Sequence, residues 1–327
     1  MPLVSIGLPV FNGENGISCA LDSLINQDYK NLEIIISDNA STDATKEICA
    51  CYVKKDSRVK YFRIENNLGA VWNFNRVFEL AKGDYFMWAA HDDNREPTFI
   101  SACVEKLQIS PRAVLCQVKT AIYIDGSDEI MCFNDLDSFE GKIEIIERYR
   151  ETLKNFPMTA LYGLYRVTAL KRTQRFSKSI ATDVAFIQEL SIHGNFIQVP
   201  SVLFSYIGRA KWNTIQEDYK AISGGALKPW WYLPFIALFC NHWSRIARSS
   251  ISIPTKICLW NILIEHEIKQ ISIKVVIRLI GQLSPKRWKT KIGIQVYRFW
   301  LNSPNVKVNC EALFLERAVK PRLGWWK

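Results

Sequence analysis

The sequence predicts a doubly wound, mostly parallel α/β sheet flanked by helices, followed by a basic, aromatic-rich helical segment. Three observations predict it. Strand-like and helix-like runs alternate through the first hundred residues, a polar cluster follows each strand-like run, and charge is divided unevenly along the chain. A parallel neighbour needs a crossover of about a dozen residues, which a helix supplies, so strict alternation describes parallel β-α-β units.

Residues 4–10 form an apolar run, and 17–25 space their apolar residues as a helix does. Residues 32–37 (LEIIIS) are a second strand-like run, ending in the turn-rich stretch 38–43. The cycle repeats: 44–55 read as a helix, 59–64 as a strand, 66–69 as a loop, 70–82 as a helix, and 85–89 as a fourth strand running into His91-Asp92-Asp93. Ligands of open α/β sheets bind beyond the carboxyl ends of the strands, and Asn12, Asp38, Asn67 and Asp92 stand there in turn. Farther on, 113–124 read as one or two strands, Gly126 as a turn and 142–153 as a helix. Residues 183–192 read as a helix opened by Thr182 or Asp183 and closed by Gly194, and 196–204 as a short strand interrupted by Pro200. Gly224-Gly225 and Pro229 mark a boundary, dividing the chain into a domain over 1–219 and an appendage over 220–327. Within the appendage Ile264, Ile268, Ile271, Val275 and Leu279 share a helical face.

With 327 residues, 48% of them apolar and 23% charged, the chain can bury a sizeable core and is not disordered. Its net charge of +10 is unequally shared: residues 1–219 sum to −4 and residues 220–327 to +14, and the basic part also holds many of the tryptophans. That split describes a surface-binding segment on a slightly acidic domain. The amino terminus lacks a basic stretch followed by a long apolar core, so no secretory signal is expected. Nine scattered cysteines without a CxxC pair argue against a disulfide framework and a zinc site, and for reduced thiols in a cytosolic protein. The longest apolar run, 230–240, has 11 residues, short of the roughly 20 that span a bilayer, so an interfacial helix is expected rather than a transmembrane one. No GxGxxG follows the first strand, which makes a nicotinamide oxidoreductase a poor rival.

Adjacent carboxylates after a strand, Asp92-Asp93, offer the hard oxygens that Mg²⁺ or Mn²⁺ prefers, especially where a substrate phosphate completes the shell. The same pair ahead of Pro97 also suits a helix N-cap. Context favours the first reading. The stretches VSIGLPVFNGENGISCALDSLINQDYKNLEIIISDNASTDAT and NNLGAVWNFNRVFELAKGDYFMWAAHDD contain P-x-F-N, S-D-N-A-S-T-D, N-x-G, G-D-Y and a terminal Asp-Asp. In that order and spacing the motifs resemble those of glycosyltransferase family 2, over roughly residues 3–207.

The resemblance implies the GT-A fold and an enzyme that moves a sugar from a nucleotide-diphosphate sugar to an acceptor, with inversion at the anomeric carbon. It puts Pro9, Phe11, Asn12 and Glu14 in the loop beside the nucleoside, and makes Asp38 the acceptor of a hydrogen bond from the base. A uracil or thymine imide N–H suits that carboxylate. Asn67 and Gly69 match the loop beside the nucleotide, where glycine permits close approach. Asp92 matches the last carboxylate of the family's D-x-D metal motif, with Asp93 following it and Mg²⁺ or Mn²⁺ as the implied ion. Ala90 stands where the family has the first Asp, so only the metal-facing half of the motif remains. Asp183 resembles the helix-opening Asp that deprotonates the acceptor; its alternative role is to cap the helix, with Glu189 as the fallback base. His91 occupies the variable position of the metal motif, Tyr162-Gly163-Leu164-Tyr165-Arg166 resembles a segment bordering the acceptor site, and Arg209 is assigned to the diphosphate.

The partners implied are a UDP- or dTDP-sugar, with GDP as an alternative, and a lipid-linked or glycan acceptor in cell-surface polysaccharide or glycolipid synthesis. The basic segment suggests a peripheral position on the cytoplasmic face of the membrane, at about 1 kcal/mol per basic residue near an anionic surface. Two rivals stand beside this reading. A nucleic-acid-binding protein would use the basic, aromatic tail, but Ile and Leu outnumber the uncharged polar residues there and no nucleic acid is expected. A GT-A-fold binding protein without activity is the other, with Ala90 as its hint.

Overall fold

The computed structural model describes residues 1–124, 130–134, 139, 141–208, 214–230 and 232–283. Strands β1 (Val4–Val10) and β2 (Leu32–Asp38) are buried at every position. Both faces of a central parallel strand are covered, which is why these segments are nearly unbroken apolar runs. Helix α1 (Ile17–Ile25) joins them, burying Ile17, Leu21 and Leu24. Helix α2 (Thr45–Lys55), strand β3 (Val59–Arg63), helix α3 (Ala70–Glu79) and strand β4 (Tyr85–Trp88) repeat the unit. The strands lie in the order β3-β2-β1-β4, all parallel, with Val4 level with Leu32 and Tyr85.

Beyond β4 the pairing changes. A two-residue strand β5 (Asn94–Arg95) and helix α4 (Phe99–Gln108) lead into β6 (Ala113–Ile124), one strand of 12 residues that also carries β7 (Ile130–Asn134) antiparallel to it. Helix α5 (Ile145–Lys154) and a 3-10 turn at Met158–Tyr162 precede β8 (Leu164–Arg166). This short strand is antiparallel to both β4 and β6 and joins the two halves of the sheet. A single helical turn α6 (Val167–Leu170) and helix α7 (Thr182–His193) lead to β9 (Asn195–Gly208), which runs parallel to β6, while β5 pairs antiparallel to β9. Pro200 does not end that strand. Val199 pairs with Val118 and Val202 with Lys119, so the extra residues bulge where proline has no N–H to donate.

Trp88 centres the core on one face of the sheet: Phe86, Tyr165, Phe176 and Phe186 meet its ring edge to face at 4.7 to 5.5 Å, and its Nε1–H donates to the Phe74 carbonyl at 2.9 Å.

Three helices follow: α8 (Ile215–Ser223), α9 (Pro234–Arg248) and α10 (Ile253–Leu283). The division read at 219/220 falls inside α8. Ile246 of α9 and Leu259 and Leu263 of α10 pack with Tyr149 of α5 and Ile192 of α7 in a separate apolar cluster. Arg245, 1% exposed, forms an ion pair with the buried Glu189 of α7 and donates to the Arg175 carbonyl at 2.6 Å. The start of the basic segment is thus packed onto the sheet domain, while residues from 284 onward lie outside the described residues. No helix among the described residues is long and apolar enough to cross a membrane.

Candidate functional site

At the carboxyl ends of β1, β2 and β4 lies a cleft of about 510 Å³. Pro9, Val10 and Phe11 enter it from β1 and the loop after it, Asn39 from the end of β2, Asn67, Ala70, Asn73 and Phe74 from α3 and its approach, and Ala90, His91 and Asp92 from the end of β4. Tyr162, Tyr206 and Ile207 come from the mixed half of the sheet, and Lys220, Ala221, Gly224 and Gly225 from α8 and its C-terminus.

The first loop is tied to the second. Asn12 adopts a left-handed backbone (φ 52); its N–H donates to Ser41 Oγ and its Oδ1 accepts from the Thr42 N–H, both at 2.9 Å. Glu14 accepts the Ala44 N–H at the start of α2 (3.0 Å), and its own N–H donates to Asp43 (3.0 Å). Asn12 and Glu14 therefore fix the loop, and Phe11, 45% exposed, is the residue of the loop that lines the cleft.

Asp38 is sealed beneath the wall. Its Oδ1 accepts the Ser41 N–H at 2.8 Å, and its Oδ2 accepts the Tyr61 hydroxyl at 2.5 Å and lies 3.3 Å from Arg63 Nε. Burial, followed by the Asp38 hydrogen bond and charge, pushes the Tyr61 hydroxyl far above its usual range. Asn39 lines the cleft instead. Its Nδ2 donates to Asn67 Oδ1 (2.9 Å) and the Gly69 carbonyl (3.2 Å), and its Oδ1 accepts the Leu68 N–H (3.0 Å). Asn39 is absent from the sequence-derived set; alternation of side chains along an extended segment is the signal that would have found it. Gly69 has φ +90, and a Cβ there would stand 2.5 Å from the Ile222 carbonyl oxygen, so glycine is what lets α8 close against this wall. Lys220, also missed, arrives by that contact; nothing in its local sequence marks it.

Asp92 is exposed in the cleft, whereas Asp93 is turned beneath it, 1% exposed. Asp93 Oδ1 accepts the Ile207 N–H at 3.3 Å and its Oδ2 has no protein partner. Burial raises the Asp93 carboxyl to about 7 against the opposing charge of Arg95, whose guanidinium lies over the Phe204 ring at 4.5 Å. The pair does not open a helix, because β5 intervenes and α4 begins after Thr98. Among the described residues no three His, Cys, Asp or Glu side chains cluster as a metal-ligand set.

Asp183 stands in the first turn of α7, behind Ala181 in the left-handed conformation (φ 56). It is half-buried and does not line the cleft. Burial raises its carboxyl above the usual range, the N–H groups of Val184 and Asp183 itself oppose that, and Asp218 adds to it. Tyr162, on the cleft wall, lies within electrostatic reach of Asp93, Asp92 and Asp183 together. Glu189 belongs elsewhere: it is held by Arg245 and by the Gln174 N–H at 3.0 Å, which removes the fallback base. Arg209 lies outside the described residues.

Residues 5–173 match the family described as Glycosyl transferase family 2. The chain belongs to that family. An uncharacterised glycosyltransferase of Rickettsia typhi is 32% identical over 210 residues, covering 63% of this chain and 53% of that one. The chain thus spans about half the length of such curated relatives. Among solved structures, TarS of S. aureus in complex with UDP-GlcNAc aligns with a TM-score of 0.60 at 17% identity, over 91% of this chain and 90% of that one. Mannosyltransferase PcManGT of Pyrobaculum calidifontis, in complex with GDP-Man and Mn²⁺, aligns with a TM-score of 0.53 at 15% identity, over 100% and 88%. At these identities the likeness is one of fold, and the GT-A sheet expected from the motifs is the one the family 2 chain adopts.

Proposed function

We propose that this chain transfers a sugar from a nucleotide-diphosphate sugar to a hydroxyl of a lipid-linked or glycan acceptor, with inversion at the anomeric carbon. The observation that carries the reading is the meeting of Phe11, the Asn39–Asn67–Gly69 wall, Asp92, Tyr162 and Lys220 around one cleft, although they come from six separate parts of the chain. Phe11 offers an aromatic face to a base, the Asn39 and Asn67 loop lies where a nucleotide would pass, and the Lys220 ammonium is a point charge suited to phosphate. A uridine or thymidine donor is favoured, with the UDP-GlcNAc complex of TarS in support; the GDP-Man complex of PcManGT keeps guanosine as the alternative. Asp38 would reach a base only by releasing Ser41, Tyr61 or Arg63.

Asp92, with Asp93 behind it, fits Mg²⁺ or Mn²⁺: one exposed carboxylate plus substrate phosphates suits a hard cation that keeps several of its waters. Such an ion would supply positive charge to the departing nucleoside diphosphate. Asp183 takes the proton of the acceptor hydroxyl as its oxygen bonds to the anomeric carbon and the bond to the diphosphate breaks; a carboxylate made more basic by burial suits that role. The chain's place is peripheral, on the cytoplasmic face of an anionic membrane. Exposed Ile253, Ile257, Ile264 and Ile268 follow one another at four, seven and four residues, hence on one face of α10, and Leu227, Trp230, Leu233 and Ile236 are exposed in and just after the stretch between α8 and α9. Together with the +14 charge this is the composition of an interfacial segment.

The test is a panel of UDP-, dTDP- and GDP-sugars with Mn²⁺ or Mg²⁺, read as release of nucleoside diphosphate. Metal-dependent release from one donor is expected. Nucleotide binding without release from any donor would make the chain a GT-A binding protein instead.

A further inference from the structure

We propose that a second ligand site, a pocket for a phosphate group, lies at the end of the sheet opposite the cleft. Strand β8 is antiparallel to both β4 and β6, so β6 runs parallel to β4, and β9 runs parallel to β6. The amino ends of β6 and β9 therefore face away from the cleft at the carboxyl end of β4. A cavity of about 370 Å³ opens there, between the start of β6, the end of β8 and the last turn of α7. Arg112, Arg148, Arg166, Arg172 and His193 line it, and none of its lining residues is an Asp or Glu.

Two of these arginines are built into the fold, but their acceptors are almost all neutral carbonyls. Arg148 is buried and donates to the carbonyls of Ile143, Ser191 and Ile192 and to Asn195 Oδ1. Arg166 donates to the carbonyls of Ala113, Leu107 and Ser110 and to the Tyr85 hydroxyl. Carbonyl dipoles orient a guanidinium without cancelling its charge. The carboxylate acting on Arg148 is that of Glu144, which is exposed and outside the cavity wall. Arg112 and Arg172 are exposed, and no hydrogen bond or ion pair holds either guanidinium among the described residues. His193 Nε2 is buried with no partner, and burial with the charges of Arg172 and Arg148 holds its imidazole below the usual range.

A concave site lined by cations, with no carboxylate in its wall, focuses positive potential. Guanidinium groups bind phosphate through paired N–H donors, and the unpartnered imidazole nitrogen adds a further polar contact. None of these residues lines the cleft, including Arg166, whose segment resembles one bordering the acceptor site, so the inference does not depend on the proposed reaction. The phosphate could belong to a soluble ester or to a phospholipid headgroup, two sources of the same group.

Calorimetric titration with inorganic phosphate, in EDTA, tests the site on the full chain. Compared are the wild type, an Arg112→Gln/Arg172→Gln double variant, and Lys220→Gln as the control for the cleft. Both altered arginines are exposed, and thermal denaturation checks that the fold is kept. A single saturable site, weakened at least about tenfold in the double variant and unchanged in Lys220→Gln, is expected for a soluble ligand. If the headgroup is the source, sedimentation with phosphatidylglycerol vesicles is weakened by the double substitution and inorganic phosphate binds poorly. The inference is overturned if the double variant matches the wild type with both probes, if the wild type binds neither, or if Lys220→Gln is the variant that loses phosphate.

Discussion

The half of the sheet formed by β3, β2, β1 and β4 and the half formed by β8, β6 and β9 frame one cleft but are assembled by different rules. In the first, β1 and β2, and β2 and β3, are joined by a single helix, and the loops at their carboxyl ends bring Phe11 and Asn39 to the cleft as a consequence of local order. In the second, β6 pairs with β9 across α5, α6 and α7, and the three-residue β8 joins the halves. The segment read as an appendage, residues 220–327, supplies Lys220 to the cleft and Arg245 to the core. Nearest-neighbour order builds the donor side; packing between distant segments builds the rest.

The largest expected effect lies on the second half. Asp183→Asn should lower transfer by about 10²–10⁴-fold while nucleoside diphosphate still binds. Because the base must be ionised and burial raises the Asp183 carboxyl, turnover should fall as pH drops through a value above the ordinary Asp figure of about 3.9. An active Asp183→Asn variant would give the proton to another residue. Next in size, Arg245→Met should destabilise the fold by about 3–5 kcal/mol, since it leaves Glu189 buried and unpaired. A Glu189→Leu/Arg245→Met double variant should recover much of that loss. A cost below about 1 kcal/mol, the range of a surface pair, would restore the picture of a loose appendage.

Gly69→Ala tests where the halves meet. Its positive φ and the nearby Ile222 carbonyl make a cost of about 1–3 kcal/mol the expectation, read as weaker nucleotide binding and a lower Tm. The smallest effect per step is in pH. His242 is buried with neither ring nitrogen partnered, and burial first, then the Arg245 and His266 charges, lowers its value to about 3. Between about pH 6.5 and 3 the unfolded chain binds the proton that the folded chain refuses. Stability should therefore fall on acidification through that window by up to about 1.4 kcal/mol per pH unit. His242→Leu should flatten that slope in denaturant titrations, and an unchanged slope would mean that His242 is protonated in the fold.

What the sequence disclosed follows the same division. Helix α1 and strand β1 are read to the residue because their signals, an apolar period and a nearly unbroken apolar run, are local. Pro200 suggested an interrupted strand, because a bulge opposite Val118 and Lys119 is a property of the partner strand. Arg245 sits in a basic, amphipathic stretch that reads as solvent-facing, and only the position of Glu189 on another helix reverses that. At the site, the motifs located each loop but not the facing of its side chains. Asp38 and Asn39 are adjacent in sequence, yet Asn39 lines the cleft and Asp38 lies beneath it.

The central claim is that the cleft receives a nucleotide with a metal at Asp92. The most direct measurement is calorimetric titration of UDP, with and without Mn²⁺, into the wild type and Asp92→Asn. The wild type should bind UDP about tenfold or more tightly when Mn²⁺ is present, and Asp92→Asn should lose that gain while keeping the metal-free affinity. An equal gain from Mn²⁺ in both proteins, or no binding of UDP, dTDP or GDP to the wild type, would contradict it.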